Sequence, residues 1–76
     1  MQSADKLVLM ANQIVRNLAI QGDDKAIALA ADHMRKFWEP RMRNAIQQHV
    51  QAGRTGLTPL AIRAVEQLNR IETATS

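Results

Sequence analysis

Helix-ending residues divide this 76-residue chain into four stretches, each with helical periodicity. Gly22 suits the left-handed position that closes a helix. Pro40 lacks a backbone donor and disfavours α geometry at Glu39, so one helix must stop before it, while its fixed φ suits the first turn of the next. Gly53 closes a third stretch, and Thr58-Pro59 opens a fourth as an N-cap followed by proline. The expected helices are therefore about 3–21, 24–38, 40–52 and 59–72, with a frayed tail over 73–76. No stretch alternates like a strand, and no repeat or low-complexity tract is present. The expected fold is all-α, one small domain of about four short helices packed as a compact bundle.

The apolar spacing supplies the inward faces. Leu7, Met10, Ala11, Ile14 and Leu18 form one stripe, with Ser3 as the expected cap. Asp23 or Asp24 is the expected cap of the second helix, where Ile27, Ala30, Ala31, Met34 and Trp38 form a stripe and Leu29, His33 and Phe37 an adjoining one. Met42, Ala45, Ile46, His49 and Val50 line the third helix. Leu60, Ala61, Ala64, Val65, Leu68 and Ile71 line the fourth, with Leu57 placed to staple onto Ile62. Apolar residues make up 46% of the chain, but 12 of them are alanine, so the core is modest and a partner chain is expected to complete part of it.

Composition removes whole classes of chemistry. There is no cysteine, which excludes disulfides, zinc–thiolate sites and iron–sulfur ligation by this chain. No apolar run approaches the ~18 residues of a membrane span. Asp5 and the missing basic region disfavour a signal peptide. Serine occurs only at Ser3 and Ser76, so a Ser–His–Asp arrangement is not expected. His33 and His49 lie on different helices and read as boundary residues, with a pair between His49 and Asp32 or Glu39 as the catalytic alternative. No metal motif is present. The Gly53–Gly56 turn reads as a helix stop followed by a loop, although an anion could meet the fourth helix beside Arg54.

The net charge of +3 is unevenly placed. Residues 35–54 hold Arg35, Lys36, Arg41, Arg43 and Arg54 against Glu39 alone, which suggests an acidic partner, a phosphate-bearing ligand or nucleic acid. The centre of this region, His33-Met34-Arg35-Lys36-Phe37-Trp38-Glu39-Pro40-Arg41-Met42-Arg43, contains both aromatic residues. Aromatics ringed by arginine are the composition of an interaction hot spot. A plain core role for Trp38 is the competing reading.

That block is similar to one in the delta subunits of soluble NAD-dependent, molybdenum-containing formate dehydrogenases. Lys6-Leu7-Val8-Leu9-Met10-Ala11-Asn12-Gln13-Ile14 and Gly56-Leu57-Thr58-Pro59-Leu60 resemble the same family, in the same order, so the resemblance covers roughly residues 5–68. The middle block is the specific one. Family members often carry Asp where this chain has Glu39, which keeps the charge on a longer arm.

The resemblance implies a non-catalytic accessory subunit of a cytoplasmic complex that oxidises formate and reduces NAD+. The complex is implied to hold bis-molybdopterin guanine dinucleotide, iron–sulfur clusters, FMN and NAD, with none in this chain. The implied partner is the catalytic alpha subunit, along with the rest of the complex, in an assembly, stability or cofactor-insertion role. Joined to the residue reading, it gives a partner interface of Phe37, Trp38, Pro40, Arg41 and Arg43, with Asn12 and Gln13 as further contacts. Trp38 is the expected anchor, and Arg41 and Arg43 are candidates for carboxylate or cofactor-phosphate contacts. The alternative function is a small basic helical nucleic-acid-binding protein. Membrane-surface binding is disfavoured because the basic patch does not run along one amphipathic face.

Overall fold

The computed structural model describes residues 4–54 and 56–75, and these build an all-α domain. Helix α1 (Ala4–Leu18) runs into a 3-10 turn (Ala19–Gln21), followed by α2 (Asp23–Phe37), α3 (Pro40–Gln51) and α4 (Pro59–Thr75). Ser3, expected to cap α1, lies outside the described residues.

One helix end and one helix start differ from expectation. The last turn of the first helical stretch tightens to 3-10, a common way to end a helix. Gly22, rather than either aspartate, then occupies the N-cap of α2, at φ 99° and ψ 152°. Its N–H closes the 3-10 turn on the Ala19 carbonyl (3.0 Å), and its carbonyl accepts the first bond of α2, from Ala26 N (2.8 Å). One residue thus ends one helix and begins the next, in a backbone region essentially reserved for glycine. Asp23 and Asp24 fall in the first turn instead, where negative charge meets the positive end of the helix dipole.

The other boundaries follow local chemistry. Gly53 (φ 72°) completes a Schellman motif: its N–H reaches the Val50 carbonyl (3.0 Å) and Arg54 N–H reaches the His49 carbonyl (3.2 Å). Thr58 Oγ1 accepts the Ala61 N–H (3.2 Å) at the start of α4. Helix α4 extends to Thr75, past the expected end at 72, and Ser76 of the expected tail lies outside the described residues. Thr73 Oγ1 donates to the Asn69 carbonyl (2.8 Å), and Glu72 is held by side chains of α3.

Every helix contributes to one core. Leu7, Met34, Ile46, Val65 and Leu68 are its largest fully buried side chains. Ala26, Ala30 and Ala31 on α2 and Ala61 and Ala64 on α4 are also fully buried, and α2 and α4 share the most extensive helix–helix contact. Alanine on both suits close backbone approach, which is how a composition rich in small residues still fills its interior. No helix among the described residues is long and apolar enough to cross a membrane.

Candidate docking surface

The α2–α3 junction sorts the adjacent aromatic pair. Helix α2 stops at Phe37. Trp38 (φ −84°, ψ 138°) and Glu39 (φ −65°, ψ 154°) are extended, as the residue before a proline prefers, and Pro40 begins α3. Phe37 keeps its helical direction and is 72% exposed, whereas Trp38 turns into the core and is 4% exposed. The expectation that Trp38 anchors a partner is therefore corrected: its indole is consumed by the chain's own interior. Phe37 is the aromatic that faces outward, its ring against that of His33 with centroids 4.9 Å apart and planes tilted by 38°.

Arg43 is also claimed by the fold. Its Nε donates to Glu72 Oε2 (3.0 Å), and its Nη1 donates to the carbonyls of Trp38 and Arg35 (3.4 Å for Arg35). Gln47 Nε2 donates to the other Glu72 oxygen. The guanidinium thus sits on orphan carbonyls at the C-terminal end of α2, where positive charge is favoured, and ties α2, α3 and α4 together. With Nε and Nη1 engaged and its side chain only 19% exposed, Arg43 does not fit the expected role of phosphate or partner contact. Glu72 was not legible as its partner, since nothing in the local sequence marks a contact across 29 residues.

Pro40 and Arg41 are exposed, and Arg41 forms no ion pair with a described residue. Asp32 bridges Lys36 Nζ (3.0 Å) and Arg35 Nη2 (2.9 Å) on the outer side of α2. Those two bonds, the one from Lys36 first, hold its carboxyl below the usual aspartate range. The fold therefore brings two carboxylates, Asp32 and Glu72, onto the basic cluster and removes much of its excess charge. His49 is buried on α3. Among the described residues, no group of three or more His, Asp or Glu comes together as a metal site.

The first and last sequence blocks meet elsewhere. Asn12 Nδ2 donates to the Gly56 carbonyl (2.9 Å) and Asn12 Oδ1 accepts the Thr58 N–H (3.0 Å). Gly56 is at φ 109°, and a Cβ there would lie 3.2 Å from Val8 Cγ1, so the loop must be bare where it crosses α1. Asn12 thus has a structural task that sequence position alone did not show. Gln13, next to it, is exposed and lines a mainly apolar groove with Leu9, Arg16, Thr58 and Leu60.

A family model described as "NADH-dependant formate dehydrogenase delta subunit FdsD" matches residues 6–65. The chain belongs to this family. Comparison with curated proteins and with solved structures gave no match. The matched range spans all three sequence blocks, the Asn12 clasp and the α2–α3 junction, and stops before Glu72. As a member of the delta-subunit family, the chain is a subunit of a formate dehydrogenase complex and works with other subunits.

Proposed function

We propose that this chain is a non-catalytic accessory subunit that docks on the catalytic alpha subunit of a cytoplasmic formate dehydrogenase and supports its assembly, stability or molybdopterin cofactor insertion. The observation that carries this reading is the split within its most specific sequence block. Trp38 and Arg43 are drawn into the fold, while the side chains of Phe37, Pro40 and Arg41 stay exposed on the surface. An exposed phenylalanine and an exposed arginine with no ion pair among the described residues, in a chain that belongs to a complex, have the composition of a surface that another subunit covers. The bis-molybdopterin guanine dinucleotide, iron–sulfur clusters, FMN and NAD implied for the complex then reside in other subunits. Arg41 is the remaining candidate in this chain for contact with a cofactor phosphate.

Nucleic-acid binding is less well supported, because Arg35, Lys36 and Arg43 are each bonded to a carboxylate. A phosphate backbone would have to displace those carboxylates. The decisive experiment is co-expression of the tagged chain with its candidate alpha subunit, followed by size-exclusion chromatography and molybdenum quantification. Co-elution is expected, with a fall in molybdenum or in intact complex when the chain is omitted. Separate elution with unchanged metal and activity would reject the reading.

A further inference from the structure

We infer that the docking surface is the outer face of α2, and that its partner is an amphipathic helix of the catalytic subunit with aliphatic side chains along one face and carboxylates along the adjoining edge. This inference rests on the proposed accessory role and adds the surface and the chemistry it selects.

Leu29, His33 and Phe37 recur every fourth residue, so they form one row on α2 about 12 Å long. Leu29 is 37% and Phe37 72% exposed, and His33 is exposed between them. Scattered apolar residues on a surface are ordinary, but here His33, packed on Phe37, fills the turn between the two apolar residues, so the three form one surface row. It is also pre-arranged. His33 packs against the Phe37 ring, and Arg43 clasps the carbonyls at the end of the helix that carries Phe37. A surface with little left to order loses less on binding. The row has the length and spacing that receive a helix packed alongside through alternate turns.

The charge beside the row decides what the partner carries. Lys25, Asp32 and Lys36, at spacings of seven and four residues, form the neighbouring solvent edge, with two cations and one carboxylate. That carboxylate is already shared between Lys36 and Arg35. With two lysines against one aspartate the edge keeps a net charge of +1, and it is complementary to a partner helix bearing Asp or Glu.

The test uses the full chain and the alpha subunit. Hydroxyl-radical footprinting of the wild-type pair reads Phe37 and Leu29 directly, and their labelling is expected to fall several-fold in the complex. In binding measurements, Phe37→Ser with Leu29→Ser is expected to weaken association by about tenfold or more. Lys36→Glu is expected to weaken it at low salt, with the effect shrinking as salt rises. Leu9→Ser, in the groove between α1 and α4, is expected to bind like wild type. Unchanged labelling and unchanged affinity of the folded double variant would overturn the α2 surface while leaving the accessory role standing. Loss of binding in Leu9→Ser alone would move the surface to the α1–α4 groove. Failure of the wild-type chain to bind at all would reject both readings.

Discussion

Arg43 and Glu72, 29 residues apart, meet at 3.0 Å between Nε and Oε2, and the same guanidinium caps the end of α2. Both side chains are partly buried, so water replaces the lost bonds poorly. Arg43→Ala and Glu72→Ala are each expected to lower stability by about 1.5–3 kcal/mol, the range for hydrogen bonds to charged groups. The double variant is expected to lose less than the two together, because the residues share one network. Urea denaturation of the four proteins measures this. Full additivity would mean that the pair contributes no mutual stabilisation.

The adjacent aromatics should separate cleanly. Trp38→Ala removes a buried indole and is expected to cost about 3–5 kcal/mol, a large share of the stability of a domain this small. Phe37→Ala is expected to stay within about 0.5 kcal/mol, as for other surface positions. Thermal or urea melts followed by circular dichroism check the contrast. Equal effects would contradict the inward and outward assignment.

The α1 clasp makes a graded set. Asn12→Ala is expected to destabilise by about 1–2 kcal/mol through loss of two hydrogen bonds. Asn12→Asp retains the acceptor for Thr58 N–H but turns a carboxylate oxygen toward the Gly56 carbonyl, so at neutral pH it should not restore wild-type stability. Gly56→Ala is expected to cost more than Gly53→Ala. Both have positive φ, but only at Gly56 does the added Cβ meet a neighbour. Stability measurements on the four variants rank them.

Asp32 offers a test in acid. Its folded carboxyl titrates below the usual aspartate value because Lys36, and then Arg35, hydrogen-bond to the charged form. A depressed folded pKa contributes stability that is fully present above the unfolded pKa and is lost as pH falls through the folded value, here below about pH 4. In carboxyl-resolved NMR titrations, Lys36→Ala is expected to raise the Asp32 midpoint more than Arg35→Ala does. No change in either variant would show that the bridge does not persist in solution.

Local signals carried most of the architecture. Pro40, Gly53, Thr58 and Pro59 act on their own backbone neighbours, so their consequences are readable in short windows. The helical wheel also grouped Trp38 with Met34 and Phe37 with His33, the division the structure displays. What the wheel lacked was which of the two rows met the core. That depends on where α1, α3 and α4 pack, and on the extended step at Trp38. The roles of Asn12 and Arg43 were hidden for a related reason. Their partners lie 44, 46 and 29 residues away, and a polar side chain with a distant partner looks the same in sequence as one facing water. Gly22 escaped as an N-cap because the neighbouring aspartates, the commoner capping type, masked it.

The Asn12 clasp also sets an order of events during translation. Val8 is covered at Gly56, and Asn12 finds both of its partners only once residues 56–58 have left the ribosome. Until then the side of α1 that meets this loop has no lid, although α2 and α3 can already pack against the helix. In that window a chaperone or an already folded subunit can reach this side of α1 before the chain's own loop does.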